Sequence, residues 1–325
     1  MNRRTLCIAA AAVMALAATA ADAQAPAWPE HPVKLVLSQP PGSGPDNVAR
    51  VLAERLQRMW GQAVIVDNRP GGQNTIGAQA AARSAPDGYT FYFATTAALV
   101  TNSYLFKTLP YDPQKDFVPV GFVARSPFAI LVETDSPIRT LDDLLARSKA
   151  APGTLTIGNE GPRTFGGMIA RLFNARAKVD TNLVSYASVG VTVQDLLGKH
   201  IDAAVADVAS TANLVKQGKL RMLATTSGAR LPGWDNVPAL SERYPGFEMI
   251  GWFAVVAPTG TPEAAVQRFN RDLNTLLADP DVAGRIAAIG PIAAGGMSTE
   301  QVGGFLRQEH NRWGAATKEI GILPE

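Results

Sequence analysis

The sequence predicts an α/β protein of two lobes, in which each lobe is a mostly parallel sheet flanked by helices. Three observations support this fold class. Strand and helix patterns alternate in both the N-terminal and the middle third of the chain, and this order favours parallel strands joined by helical crossovers. The length of 325 residues suits two domains of ordinary size. A hydrophobic content of 46% is sufficient to give each of them a core.

The first unit of the chain contains three predicted strands and two predicted helices. The pattern places strands over 33–38, 63–67 and 90–95 and helices over 46–60 and 75–82. Apolar residues recur at helical spacing on one face of the first helix, at Val48, Val51, Leu52, Leu56 and Met59. Asp46 is expected at the cap or in the first turn of this helix, and Gly61 is expected to end it.

The rest of the chain repeats this logic. Strands are predicted over 154–157, 183–186, 201–205, 219–226 and 250–257, with helices after Thr140, from the glycine-rich loop 158–167 and over 191–197. A later helix has Thr261 at its cap and Pro262 at its first position. Ser298 and Gln301 form a capping box for the last helix. These patterns assign residues 24–125 and 228–325 to lobe one and residues 126–227 to lobe two.

The N-terminus has the pattern of a secretory signal peptide. Arg3 and Arg4 precede an alanine-rich apolar run over 5–20, and small residues follow at a cleavage site after Ala23, with Ala25 as the rival site. The run is too short for a membrane anchor of about 20 residues. Cleavage removes Cys7, the only cysteine, and with it disulfides, thiolate catalysis and cysteine metal sites.

Composition and motifs argue against several classes of function. The formal net charge of +2 gives no field for a polyanion, so no nucleic-acid partner is expected. His31, His200 and His310 lack metal-ligand spacing, so no metal is expected. No Gly-x-Ser-x-Gly motif is present, and no histidine is placed to serve a nucleophile. We therefore predict no catalytic residues, no cofactor and no enzymatic activity.

Two glycine-rich loops follow the first two strands, and each opens a helix. They span 42–46 and 70–75. In an open parallel sheet, ligands bind beyond the carboxyl ends of the strands, and helix N-termini there bind anions through backbone N–H groups. The glycines would let a carboxylate or phosphate approach the backbone closely. The alternative is that they only make tight turns.

A dinucleotide site is a weaker alternative, because Asp67 ends the second strand where a ribose-binding acid would lie. The segment that starts at Gly42 has Asn47 where the third glycine of the dinucleotide fingerprint belongs. A Rossmann-type oxidoreductase is therefore the less favoured hypothesis.

Several long motifs in one order resemble those of a known family. They are Pro41-Gly42-Ser43-Gly44-Pro45-Asp46-Asn47-Val48-Ala49-Arg50, the segment from Gly61 to Gly72 with Ile76-Gly77, Ala85-Pro86-Asp87-Gly88-Tyr89-Thr90, Leu109-Pro110-Tyr111-Asp112, Asp195-Leu196-Leu197-Gly198, Trp252 and Pro258-Thr259-Gly260-Thr261-Pro262. From about Pro29 to the C-terminus, the chain resembles the substrate-binding proteins of tripartite tricarboxylate transporters, the Bug or TctC-like receptors.

The resemblance implies a monomeric type II periplasmic binding protein without a cofactor. Such a protein closes on a small organic carboxylate in a cleft between its lobes and delivers it to membrane permease subunits. A sensory protein that binds the same ligand and docks on a signalling membrane protein is the alternative, because both functions need the same cleft.

The resemblance also carries ligand-binding positions onto this chain. The carboxylate end is expected at Gly42, Ser43, Gly44, Asp46, Gly71, Gly72, Gln73 and Asn74, with hydroxyl donors from Thr95 and Thr96. Asp207 matches a family position that faces the cleft from lobe two, although a helix N-cap is an equal alternative. Phe165 and Tyr186 from lobe two, with Trp252 and Phe253 near the crossing, suggest an apolar or aromatic ligand body; the alternative is that these rings belong to the lobe core.

The chain departs from the family's pattern in lobe two. Gly167 and Arg171 stand where the family usually has a histidine and a glutamate, and Ser185-Tyr186-Ala187-Ser188 replaces a Pro-Tyr-Lys/Arg-Gly segment. We therefore expect the far end of the ligand to differ from the family's common substrates.

Overall fold

Two mixed β-sheets form the framework of the protein. The computed structural model describes residues 28–324, so the predicted signal peptide over 1–23 and its cleavage sites lie outside the described residues. The strands are Val33–Leu37 (β1), Val64–Asn68 (β2), Thr90–Thr95 (β3), Phe117–Ser126 (β4), Phe128–Glu133 (β5), Thr156–Asn159 (β6), Asn182–Ser185 (β7), Ala203–Asp207 (β8), Leu220–Thr225 (β9), Gly251–Pro258 (β10) and Ile292–Ala293 (β11).

The helices flank both sheets. They are Gly44–Trp60 (α1), Thr75–Ala82 (α2), Asn102–Leu105 (α3), Leu141–Ala150 (α4), Phe165–Ala177 (α5), Val189–Leu197 (α6), Val208–Lys216 (α7), Leu240–Arg243 (α8), Glu263–Ala278 (α9), Pro280–Ile289 (α10) and Thr299–Glu319 (α11), with a π-helical turn over Ala97–Thr101 before α3. No helix within residues 28–324 combines the length and the apolar character needed to span a membrane.

The first sheet has six strands in the order β11-β4-β10-β3-β1-β2. β1 is parallel to β2 and β3, as the alternating pattern predicts, whereas β10 is antiparallel to β3 and β4. The difference has a topological cause: the chain leaves this sheet along β4 and returns along β10, so these two strands run in opposite directions. The register pairs Gly251 at the start of β10 with Ser126 at the end of β4.

The second sheet has five strands in the order β7-β6-β8-β5-β9. Its β6 is parallel to β7 and β8, and its β5 is antiparallel to β8 and β9. The two-lobed α/β fold predicted from the sequence is confirmed, with sheets that are mixed rather than mostly parallel. Only Pro127 separates β4 in the first sheet from β5 in the second, and the return path covers 226–250.

Both faces of each sheet are covered. One face of the first sheet packs against α1, α9 and α10 through side chains that include Leu52, Phe93 and Phe269. A second core cluster covers its other face and continues into lobe two, where it includes Phe165 and Phe173 of α5. A third cluster lies under α6 and α7.

The C-terminal helix α11 contacts both lobes. It packs along β4 in lobe one, and Trp252 of β10 donates from its indole nitrogen to Glu309 Oε2 at 2.8 Å. On the lobe-two side, the ring centroids of Trp313 and Phe165 lie 4.8 Å apart. Near its C-terminus, Glu319 pairs with Arg176 of α5 through two hydrogen bonds of 3.0 Å. The lobes are thus linked by α11 in addition to the two chain crossings.

Local signals in the sequence placed several helix ends correctly. The capping box of Ser298 and Gln301 is present, and Gly61 ends α1 with a φ of 66°. Ser43 is the N-cap of α1, which begins at Gly44, and Asp46 lies in the first turn, the second of its two predicted positions. One detail was wrong. Pro262 is the N-cap of α9 rather than its first residue, because its ψ of 129° is extended.

Candidate ligand-binding site

A cavity of about 470 Å³ lies between the two lobes. It is situated beyond the carboxyl ends of β1, β3, β6 and β8, where open α/β sheets bind their ligands. Of the residues predicted to bind a ligand, those that line it are Ser43, Gly44, Gln73, Asn74, Thr95, Thr96, Phe165 and Asp207. Trp252 and Phe253, which the sequence analysis placed near the crossing, also line it. Lining residues that were not predicted are Gln39, Pro45, Ala97, Thr101, Asn102, Ser126, Phe128, Glu160, Arg163, Thr164, Ser188, Val189, Gly190, Ala209, Ser210 and Gly251.

The lobe-one wall includes the loop that opens α2. Gln73 and Asn74 both adopt left-handed backbone conformations, with φ of 51° and 77°. The buried side chain of Asn102 holds this loop by donating from Nδ2 to the carbonyl of Gln73 at 2.8 Å. No side chain caps the N-terminus of α2. Helix N-termini are sites for anions because their first N–H groups lack intrahelical partners.

Three neutral side chains are connected in this wall. Gln39 donates from Nε2 to Asn74 Oδ1 at 2.7 Å and to Thr95 Oγ1 at 3.4 Å. The other amide atom of Gln39, Oε1, is buried and has no hydrogen-bond partner among the described residues. Asn74 Nδ2 and the Thr95 hydroxyl hydrogen are donors that this network does not use. The wall therefore offers uncharged hydrogen-bonding groups to a bound molecule.

The lobe-two wall carries the cavity's ionisable groups, which are Glu160, Arg163 and Asp207. Glu160 follows β6, and its Oε1 accepts a hydrogen bond of 3.3 Å from the backbone nitrogen of Gly166 in the first turn of α5. Its Oε2 is buried and has no partner among the described residues. Burial, followed by the nearby charge of Asp207, raises the pKa of the Glu160 carboxyl to about 7.

Asp207 ends β8 and is the N-cap of α7. Its Oδ1 accepts from the backbone nitrogen of Ser210 at 2.8 Å, and its carboxylate also accepts from the Ser210 hydroxyl. Burial raises the pKa of Asp207 even though these hydrogen bonds favour the charged form. The N-cap and the cleft position, which the sequence presented as alternatives, are thus both present.

Arg163 contributes to the wall while its guanidinium is bound to backbone of lobe one. Its terminal nitrogens donate to the carbonyl oxygens of Leu105 at 2.7 Å and Leu323 at 2.5 Å. The residue therefore forms polar contacts between the lobes beside the cavity.

Four aromatic rings complete the lining. Phe128 and Phe165 lie with centroids 4.9 Å apart, and Phe165 also packs on Trp313. Trp252 and Phe253 contribute from the start of β10. All four lining rings are at most 8% exposed, so they belong to the core and also border the cavity.

The backbones of the two lobes approach each other closely at Ala209 in α7. A β-carbon placed on Gly290, at the end of α10, would lie 2.3 Å from Ala209 Cα. A β-carbon on Gly44 would lie 3.5 Å from Ala209 Cβ. Glycine at position 290 is therefore needed for this approach.

Comparison with known proteins identifies the family. The model of the tripartite tricarboxylate transporter family receptor, TctC, matches residues 48–322. The chain belongs to this family. Protein BugT of Bordetella pertussis is 33% identical over 325 residues, covering 99% of each chain. The predicted membership of the Bug and TctC-like receptors is thus confirmed.

Solved structures give the same result. A structure of Rpa4515 from R. palustris with adipate is 30% identical, has a TM-score of 0.85 and covers 92% of this chain and 100% of its own. MatC (Rpa3494) from Rhodopseudomonas palustris with bound malate is 25% identical, with a TM-score of 0.77 and coverage of 89% and 99%. By its family, the protein is a receptor of the tripartite tricarboxylate transporter class, as the sequence analysis predicted.

Five of the residues predicted to bind a ligand do not line the cavity of the receptor, and four of them are in the two lobe-one loops. Gly42 donates its backbone N–H to Asp46 Oδ2 at 2.7 Å. Asp46 is buried and also accepts from Arg50 Nε and Asn68 Nδ2, both at 2.9 Å. Although burial alone would raise it, the bonds from Arg50, Gly42 and Asn68 hold the pKa of Asp46 below its usual value. These groups bind one another and are not available to a ligand.

The other three residues have structural roles as well. Gly71 and Gly72 have φ of 121° and 55°, and a β-carbon on either would lie 2.6 Å or less from the side chains of Ile76 or Thr75. They make the turn that presents Gln73 and Asn74. Tyr186 of lobe two lies against Gly158. Burial, with a hydrogen bond to Asp195, raises the pKa of Tyr186 to about 12.

The two departures from the family's pattern have different positions. A β-carbon on Gly167 would lie 1.9 Å from the carbonyl oxygen of Gly161, so only glycine lets the loop after β6 fold this closely onto α5. Arg171, in contrast, is exposed on α5 and does not line the cavity. Within residues 28–324, no group of three or more His, Cys, Asp and Glu side chains is placed to hold a metal ion.

Proposed function

We propose that this receptor binds the carboxylate of a small organic acid against the lobe-one wall of the cavity and delivers it, as a monomer, to permease subunits of a tripartite transporter. Binding requires no catalysis or cofactor. The lobes that close on the ligand are 24–125 with 228–325 and 126–227. The N-terminal signal peptide directs export to the periplasm and is cleaved after Ala23 or Ala25.

The uncharged donors of the lobe-one wall are the observation that carries this proposal. The Asn74 amide and the Thr95 hydroxyl line the cavity, and Asn74 immediately precedes the N-terminus of α2, which has no side-chain cap. Together they supply the directed hydrogen bonds that a carboxylate accepts. The relatives that contain adipate and malate support the same ligand class.

Isothermal titration with matched short-chain monocarboxylates, dicarboxylates and amino acids tests carboxylate binding. We expect at least one to bind, and ligand at 100 times its Kd to stabilise the protein by about 2.7 kcal/mol in a thermal or denaturant assay. Failure of every carboxylate to bind or stabilise would overturn the proposal.

A matched pair of variants locates the binding group. Thr95→Val removes a hydroxyl at the cavity, and Thr90→Val makes the same change at the other end of β3, outside the lining. We expect Thr95→Val to weaken carboxylate binding by roughly tenfold, the value of one hydrogen bond. Thr90→Val should leave affinity unchanged, and an equal loss in both variants would contradict the assignment.

Delivery is tested separately. Vesicles that contain the permease subunits should accumulate the labelled carboxylate only when the purified receptor is added. Capture of a membrane signalling protein, with no receptor-dependent uptake, would favour the sensory alternative instead.

A further inference from the structure

The lobe-two wall differs chemically from a wall built for a second carboxylate. Its two acidic side chains, Glu160 and Asp207, are close enough for the charge of one to affect the other. The lobe-two helix N-termini, which would otherwise attract an anion, are already capped by the protein's own side chains. Gly166 N donates to Glu160, Gly167 N to Thr164 and Ser210 N to Asp207. An anionic group on this side would meet two carboxyls.

Glu160 combines a structural role with an unsatisfied oxygen. One carboxyl oxygen is bound to α5, and the other, Oε2, is buried without a hydrogen-bond partner among the described residues. An unsatisfied buried carboxylate oxygen costs free energy, and a hydrogen-bond donor on a bound molecule would remove that cost. Glu160 is held in this position by the loop fold that Gly167 permits, so the feature is built into the backbone.

We propose that Glu160 and Asp207 form a subsite for a cationic nitrogen, so that the preferred ligand is a carboxylate whose far end carries a protonated amine. This inference rests on the proposed carboxylate function and names its substrate class. The carboxylate of the ligand lies against the neutral lobe-one wall, its apolar body lies beside the Phe128 and Phe165 rings, and its ammonium donates to Glu160 Oε2 and Asp207. Arg163, the third ionisable lining group, is bound to the carbonyls of Leu105 and Leu323.

Ligand triads of equal chain length test this selectivity. Each triad holds an ω-amino carboxylate, the unsubstituted monocarboxylate and the dicarboxylate; 6-aminohexanoate, hexanoate and adipate form one, and 4-aminobutanoate, butanoate and succinate another. In calorimetric titrations of the mature receptor at pH 7, we expect the amino carboxylate of at least one triad to bind roughly tenfold more tightly than both partners.

Glu160→Gln is the decisive variant because it removes the charge and keeps the shape. It should reduce amino carboxylate affinity to that of the matched monocarboxylate, while monocarboxylate affinity changes less than about threefold. Glu263→Gln, the same substitution at an exposed position in α9, is the control and should behave as the unaltered protein.

The direction of proton exchange is an independent measurement. Titrations at pH 7 in buffers of different ionisation enthalpy should show proton release on binding of the amino carboxylate, because a cation beside Glu160 favours its charged form. Glu160→Gln should abolish that release. The subsite would be overturned by a dicarboxylate that binds more tightly than the amino carboxylate with proton uptake, or by an amino carboxylate whose affinity is unchanged in Glu160→Gln. Either result would leave the proposed carboxylate binding intact. Failure of every triad to bind would overturn both.

Discussion

The two walls of the cavity differ in the charge of the groups that they offer to a ligand. The lobe-one wall presents amides and a hydroxyl next to a helix N-terminus, and the carboxylate of Asp46 in the loop after β1 is bound by Gly42, Arg50 and Asn68. The lobe-two wall presents two carboxyls, one with a buried unpartnered oxygen. The comparison shows that a helix N-terminus alone does not predict an anion site. The N-terminus of α2 in lobe one has no side-chain cap, whereas the N-termini of α5 and α7 in lobe two are capped by the protein's own side chains.

A substitution that holds the two walls of the cavity apart should have the largest effect on ligand affinity. Gly290→Ala adds a methyl group that collides with the backbone at Ala209, so the lobes no longer reach this approach. If both walls hold the ligand, affinity measured by calorimetry should fall at least about 100-fold for every ligand. Gly296→Ala is the control, because Gly296 also has a positive φ of 91° but open space around it. Retention of affinity in Gly290→Ala would mean that lobe one binds the ligand alone.

Adding a negative charge to the neutral lobe-one wall should have the next largest effect on ligand affinity. Asn74→Asp keeps the acceptor for Gln39 and a residue type that tolerates the left-handed backbone, but it places a negative charge beside the carboxylate. We expect carboxylate affinity to fall by about 50-fold in titrations, since like charges in contact cost several kcal/mol. Asn47→Asp, at an exposed position outside the lining, is the control. Similar losses in both would show a long-range charge effect.

The acidity of the lobe-two wall should appear in the stability of the empty receptor. The folded-state pKa of Glu160, about 7, lies above its ordinary value of 4.5, so the native state binds the proton more tightly than the unfolded state. The stability that this tighter proton binding contributes is fully present below pH 4.5 and is lost as the pH rises through about 7. Between pH 4.5 and 8, we expect the free energy of unfolding to fall by roughly 2 kcal/mol more in the unaltered protein than in Glu160→Gln.

Denaturant titrations over that pH range measure this difference. Glu263→Gln should follow the unaltered protein, because its carboxyl is exposed. Parallel curves for the unaltered protein and Glu160→Gln would contradict the assigned environment of Glu160.

The smallest effects are expected from the arginines near the lobe-one loops. Arg50 pairs with Asp46 and Asn68, and Arg69 pairs with Asp67 at 3.0 Å, so neither side chain lines the cavity. Arg50→Ala and Arg69→Ala should change carboxylate affinity less than about threefold in titrations, since charges outside the site act weakly through solvent. A loss of a thousandfold in either would place a cation in the lobe-one wall.

Local sequence signals predicted what depends on local structure. The repeats of apolar residues located α1, and α2 and β3 have the predicted bounds of Thr75–Ala82 and Thr90–Thr95. The loops that follow β1 and β2 were identified because a glycine-rich segment between a strand and a helix has few other structures available.

Residues whose position depends on how a loop folds and packs were not predicted. Glu160 enters the cavity because the loop after β6 folds against Gly167, and spacing in the sequence does not encode that contact. Gln39 lies in the wall through its bonds to Asn74 and Thr95, which are far along the chain. Asp46 was assigned to the ligand from its loop, but burial and three internal hydrogen bonds direct it inward. The one sequence signal that could have identified Glu160 as a candidate is a glutamate side chain in a lobe-two loop.

The attachment of α11 to both lobes has a mechanical consequence. Two chain crossings by themselves permit both bending and torsion between the lobes. The Trp313–Phe165 packing and the Arg176–Glu319 pair add a third support away from the crossings. A third connection restricts torsion between the lobes, and any opening of the cleft must either preserve these α11 contacts or break them.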